Sequence, residues 1–103
     1  MSFTVKDEGS ASTVYLHGEI DLERSPAARR VLLDTLARGQ ALVVDLREVS
    51  YIDSSGVASL VEAYQKARTL KLAFALAEVG PPVMRVLSLA RLDTVFPIRA
   101  AAA

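Results

Sequence analysis

The chain has 103 residues, of which 51% are hydrophobic and 23% charged, enough apolar material for one packed core and too much for a disordered segment. Twelve Lys and Arg balance twelve Asp and Glu, so no net field draws the protein towards nucleic acid or an anionic membrane, and the expected partner is another protein. The absence of cysteine excludes a disulfide framework, a thiolate zinc site and a cysteine nucleophile together.

The opening Met1 to Glu8 carries charges where a signal peptide would be apolar, and no apolar run reaches the length of a membrane span. The expected location is therefore cytoplasmic, with no direct membrane insertion. Residues 1–99 read as a single domain and Ala100 to Ala103 as a disordered tail. Phe3 and Val5 alternate with polar neighbours, Asp7-Glu8-Gly9-Ser10 reads as a turn, and Thr13 to His17 resumes a pattern rich in β-branched and aromatic residues. This predicts an antiparallel hairpin. Gly18-Glu19-Ile20-Asp21 then leaves the second strand. Ser25 is placed as a helix N-cap with Pro26 at the first helical position, where its missing N–H costs nothing. In that helix Ala28, Val31, Leu32, Thr35 and Leu36 share one face, Arg29, Arg30, Asp34 and Arg38 populate the others, and Gly39 suits the C-terminal stop.

Leu42-Val43-Val44-Asp45-Leu46 is an almost continuous apolar run, as expected of a strand covered on both sides or paired centrally. Val49 to Ile52 leads into Asp53-Ser54-Ser55-Gly56, after which Val57, Leu60, Val61, Tyr64 and Ala67 repeat with helical period. Leu70 to Val79 alternates large and small residues and predicts a strand. Gly80-Pro81-Pro82 breaks the backbone, Val83, Val86, Leu87 and Ala90 mark a third short helix, and Val95 to Ile98 predicts a last strand at a sheet edge. The pattern as a whole predicts an α/β fold: a mixed sheet opened by a hairpin, right-handed crossovers, and about three helices packed on the sheet.

The serine turn has a plain structural explanation, in which Asp53 or Ser54 caps the following helix and Gly56 lets the turn close tightly. It also has a functional one. Capping does not need two serines and an acid together, and a hydroxyl at a helix N-terminus sits where backbone N–H groups and the helix dipole favour a phosphate.

Val43-Val44-Asp45-Leu46 followed by Val49-Ser50-Tyr51-Ile52-Asp53-Ser54-Ser55-Gly56-Val57 resembles the signature of bacterial STAS domains of the anti-sigma factor antagonist type. Gly18-Glu19-Ile20-Asp21 resembles the loop after that family's second strand, and Val86 to Phe96 its third helix and following strand, so most of residues 3 to 98 is covered. The resemblance implies a non-enzymatic partner switch. The second serine of the tetrapeptide, Ser55 here, is phosphorylated by a partner that is both serine kinase and anti-sigma factor, and a serine phosphatase reverses the modification. The unphosphorylated form binds the anti-sigma factor and so releases sigma. On the same basis Glu19, Asp21, Ser25, Asp53, Ser54, Ser55 and Gly56 are the expected partner-binding residues. Antagonists of this family usually close with a fourth amphipathic helix, whereas this chain passes from Ile98 to Arg99 and four alanines, so that helix is expected to be short or absent. Short STAS subunits bound to the ATPase of an ABC-type lipid transporter share that truncation and form the alternative reading; the paired serines favour the phosphorylated switch.

The remaining signals point away from catalysis. His17 is the sole histidine and has no cysteine or second histidine with which to complete a metal site. Asp45 reads as a carboxylate held by backbone or by Arg47. Ser55 lacks a Gly-x-Ser-x-Gly elbow and has only His17 as a candidate base, and no glycine-rich phosphate loop occurs, so neither an enzyme nor a cofactor is expected.

Overall fold

The computed structural model describes residues 3–99. The expected tail at Ala100 to Ala103 lies outside the described residues. Strand β1 (Phe3–Asp7) pairs antiparallel with β2 (Ala11–Ile20), β2 pairs parallel with β3 (Ala41–Ile52), and β3 pairs parallel with β4 (Phe74–Ala77). Sheet order is thus β1-β2-β3-β4. Helix α1 (Ser25–Ala37) connects β2 to β3, α2 (Ser54–Thr69) connects β3 to β4, and α3 (Pro81–Leu89) follows β4. The mixed sheet, its opening hairpin and the three helices agree with the predicted α/β architecture.

Period-two alternation selects the packed face. Val14 and Leu16 of β2, Leu42, Val44 and Leu46 of β3, and Phe74 and Leu76 of β4 are buried, and they form one apolar cluster with Ala28, Leu32 and Leu36 of α1, Val57, Leu60, Ala63 and Ala67 of α2, and Val83 and Leu87 of α3. Their neighbours Thr13, Tyr15, Val43, Ala75 and Ala77 are half-exposed. Burying this apolar area is the main force that seats the helices on the sheet. At the end where β2 and β3 begin, the buried Gln40 accepts from Ser12 Oγ at 3.1 Å and donates to Asp7 Oδ1 and the Gly9 carbonyl, both at 2.8 Å. That bond set ties the hairpin turn to the start of β3.

Five local expectations need correction. First, β2 does not stop at His17. Gly18, at φ +74°, stays within the strand, and the register slips between Tyr15 and His17 and again between Gly18 and Glu19, each time with an extra residue on β3. Glycine here serves a bulged strand rather than its exit. Second, the run from Leu42 and the run to Ile52 are one strand of 12 residues. Third, Ser25 is not the N-cap of α1. That position is Arg24, which makes no side-chain capping bond, and Pro26 follows Ser25 as the second helical residue. Asp21 holds the turn that leads into the helix: its Oδ1 accepts from the N–H groups of Glu23 at 3.1 Å and Arg24 at 3.0 Å, and its backbone carbonyl accepts from Ser25 N at 2.8 Å.

Fourth, the strand predicted over Leu70 to Val79 is confined to Phe74–Ala77. Residues Leu70 to Leu72 close α2 instead: Lys71 takes the left-handed conformation at φ +59°, and the Leu72 N–H reaches back to the Ala67 carbonyl at 2.9 Å. A lysine occupies the place where glycine usually announces a helix end. Fifth, Val95 to Ile98 lies at the sheet edge as expected but pairs at one point, a parallel bridge between Ile98 and Leu76. Pro97 brings no N–H to a ladder, yet its carbonyl accepts from Leu76 N at 2.8 Å. Phe96 anchors this segment inside the core, its ring centroid 5.5 Å from Tyr64 and 6.2 Å from Phe74.

Candidate functional site at the start of the second helix

Parallel pairing carries β2 and β3 to a common end, with Ile20 beside Ile52. The loop leaving β2 and the turn leaving β3 are therefore neighbours, although their residues lie far apart in the chain. Asp53 is the junction. It is extended, with φ −109° and ψ −172°, and caps α2: its Oδ1 accepts from Ser55 N at 2.9 Å and Gly56 N at 3.2 Å. Of the two capping candidates in the sequence, the acid does this work, because a carboxylate two residues before a helical N–H reaches it without strain. Ser54 is exposed, with its side chain at the first turn of α2.

The same carboxylate makes two further contacts. The Ser55 hydroxyl donates to Oδ1 at 2.5 Å, and the Leu22 backbone N–H donates to Oδ2 at 3.1 Å. These bonds hold the Asp53 carboxyl below the usual carboxylate range; the Ser55 hydroxyl contributes most, burial opposes it, and the N–H groups of Gly56, Ser55 and Leu22 add to the lowering. Asp53 is thus an anion at neutral pH, and Ser55 is held half-buried with its oxygen in a defined place.

Gly56 is required by close approach rather than by unusual dihedrals. A Cβ there would lie 2.6 Å from the Ile20 carbonyl oxygen and 2.6 Å from Ile52 Cγ1. The first turn of α2 therefore sits directly on the ends of β2 and β3, and Ser55 rides on that seat. Ser59 completes the support from below, its hydroxyl donating to the Ser55 carbonyl at 3.1 Å and lying 3.4 Å from the Ser25 carbonyl.

Of the residues singled out in the sequence, Asp53, Ser54, Ser55 and Gly56 share the helix start, and Asp21 joins them through the Leu22 link. Glu19 is exposed and pairs in register with Tyr51, close to the same end. Ser25 is buried and underlies the group. Leu22 and Ser59 carried no motif, and Ile20 stood in one only as part of the Gly18 to Asp21 loop: they act through a backbone N–H, a helix-to-helix contact and a backbone carbonyl, none of which leaves a mark in residue type. Asp45 is buried and holds Arg47 through two of its side-chain nitrogens, Nε at 3.1 Å and Nη2 at 3.0 Å, as well as its backbone N–H at 3.0 Å. Both partners named in the sequence reading thus contribute. His17 lies 3.2 Å from Thr4 Oγ1 across the hairpin. Among the described residues no group of three or more His, Cys, Asp or Glu is placed to hold a metal ion, and no helix is long and apolar enough to cross a membrane.

A mixed sheet with helices packed on it, whose parallel strands end on a serine-bearing helix start, defines a small α/β domain. The chain belongs to the STAS domain family, whose sequence model matches residues 2–103. It is similar to the anti-sigma F factor antagonist of Paenibacillus polymyxa, at 30% identity over 87 residues covering 82% of this chain and 74% of that protein. Among solved structures it is similar to an anti-sigma factor antagonist from Mycobacterium paratuberculosis, with 32% identity, a TM-score of 0.81, and coverage of 93% of this chain and 82% of that one. The phosphorylated form of the Bacillus cell fate determinant SpoIIAA shares the fold, with a TM-score of 0.77 at 17% identity over 98% of this chain and 91% of that one.

Proposed function

We propose that this chain is an anti-sigma factor antagonist that works by partner switching, with Ser55 as its phosphate acceptor. Membership of the STAS family and the similarity to proteins named as anti-sigma factor antagonists support the class. The observation that carries the site is the Ser55 hydroxyl itself, held by Asp53 at the first turn of α2 on a rim shared with Asp21 and Ser54. In the unphosphorylated state this rim docks on a serine-kinase anti-sigma factor, with Glu19, Asp21, Asp53, Ser54 and Ser55 as contacts and Ser25 and Gly56 as their support. The chain catalyses nothing in this scheme and acts in the cytoplasm as the regulated substrate.

Phosphoryl transfer forms the bond from Ser55 Oγ to phosphorus, breaks the bond between the γ-phosphorus of ATP and its bridging oxygen, and releases the hydroxyl proton and ADP. The product carries roughly 1.5 to 2 additional negative charges beside the Asp53 carboxylate. The N–H groups of α2 tolerate that charge, so the fold persists while the docked state is repelled. A serine phosphatase restores the hydroxyl.

Incubation with a serine-kinase anti-sigma factor and ATP, followed by mass spectrometry, tests this reading. One phosphate on Ser55, lost in Ser55→Ala, is the expected result. No phosphate with any such kinase, together with stable co-purification on a transporter ATPase, would replace the reading with that of a transporter subunit.

A further inference from the structure

Asp53 touches two segments with the two oxygens of one rigid group. Oδ1 receives the Ser55 hydroxyl and the helix N–H groups, and Oδ2 receives Leu22 N–H across a gap of 31 residues in sequence. Leu22 is the large apolar residue of the loop beside the site, and it is 76% exposed. Its neighbours Glu23 and Arg24 are held separately, by Asp21 Oδ1. Tyr51, 48% exposed, is a second large apolar surface two residues before Asp53. A solvent-facing leucine whose backbone is pinned by the carboxylate that reads Ser55 is well placed to serve as a conditional contact.

We propose that Asp53 is a positioning relay: phosphorylation of Ser55 withdraws its carboxylate from the Leu22 N–H and so unpins the Leu22 side chain that the anti-sigma factor contacts. The proposal rests on the reading of Ser55 as the phosphate acceptor and adds a second consequence to charge repulsion. Esterified Ser55 has no hydroxyl proton to donate, so Oδ1 loses its shortest hydrogen bond. The phosphate oxygens then compete for the Ser55 and Gly56 N–H groups and repel the carboxylate at close range. The carboxylate turns as one planar group about the Cα–Cβ and Cβ–Cγ bonds, so the displacement of Oδ1 is carried to Oδ2. The Leu22 N–H loses its acceptor, while the turn held by Asp21 stays intact.

Amide hydrogen exchange read by NMR tests the relay in the full chain, with phosphoserine installed at position 55 during synthesis so that no kinase is needed. The Leu22 amide is expected to exchange at least about tenfold faster in the phosphorylated protein, as for loss of a hydrogen bond to a charged acceptor. Glu23 and Arg24 amides are expected to keep their rates. Asp53→Asn gives an independent arm: asparagine caps helices as well as aspartate does, and with its carbonyl oxygen turned to the α2 N–H groups its amide nitrogen faces Leu22 and cannot accept. In that variant the Leu22 amide is already fast, and phosphoserine adds nothing further. An unchanged Leu22 rate in the phosphorylated protein would overturn the relay, as would equal acceleration of Leu22, Glu23 and Arg24. Either result leaves the phosphorylation assay above to decide separately whether Ser55 is the acceptor.

Discussion

Gly56→Ala is the substitution whose effect the geometry specifies most closely. Carbon atoms in contact normally lie about 3.5–4.0 Å apart, whereas the new Cβ would stand 2.6 Å from a backbone carbonyl oxygen and from Ile52 Cγ1, and 3.0 Å from Ile20 Cγ2. The carbonyl belongs to the last residue of β2 and cannot rotate away, because it also accepts from Asp53 N at 3.3 Å. Relief therefore requires the first turn of α2 to rise by the order of 1 Å. Overpacking of this kind costs about 1–3 kcal/mol, against a helix-propensity gain for alanine of at most about 1 kcal/mol. The expected net loss is ~1–2 kcal/mol, which for a domain of this size lowers Tm by roughly 5–15 °C. Thermal unfolding followed by circular dichroism, with urea titration as a second measure, reads it directly. Phosphorylation of Ser55 is expected to slow as well, since the hydroxyl moves with its helical turn. A variant that melts at or above the wild-type temperature would refute the claim that α2 sits against the Ile20 carbonyl.

Three other outcomes follow from the same contacts. The Asp53 carboxyl titrates lower in the folded chain than in the unfolded one, so its contribution to stability is complete above about pH 4 and disappears as pH falls through the depressed folded value. Urea midpoints measured from pH 5 down to pH 2 should therefore fall less steeply for Asp53→Asn than for wild type; identical slopes would contradict the hydrogen-bond account. Arg47→Met strips the buried Asp45 of its two side-chain donors and leaves it the backbone N–H, which should cost about 1–3 kcal/mol in urea unfolding. Leu22→Ser removes a solvent-facing side chain and should change stability by no more than ~0.5 kcal/mol, yet weaken binding to the anti-sigma factor by roughly fivefold or more in calorimetry, as truncating a buried contact of about 1 kcal/mol would.

Elements with a strong period or a glycine in the expected place were legible in the sequence. The stripes of α1 and α2, the Gly39 stop and the apolar run of β3 gave the order of elements and most of the core. Errors gathered where a residue acted against its type. Gly18 stayed within a strand because the ladder bulges there, and Lys71 ended a helix in a conformation usually left to glycine. Ser25 looked like a cap, but α1 starts without a side-chain cap, and Asp21, four residues earlier, orders the turn that leads into it. At the site, the tetrapeptide from Asp53 to Gly56 could be found by motif, and its link to Leu22 could not. That link depends on which strand ends parallel pairing brings together, and on a backbone donor that every residue except proline possesses.

The proposed switch at Ser55 is most directly tested by titrating a serine-kinase anti-sigma factor with this chain in two forms, unmodified and carrying phosphoserine at position 55, in one calorimetric series. The unmodified chain should bind, and the phosphorylated chain should bind at least about 100-fold more weakly, the effect of a few kcal/mol of like-charge repulsion at a desolvated contact. Equal affinity for the two forms would contradict the account.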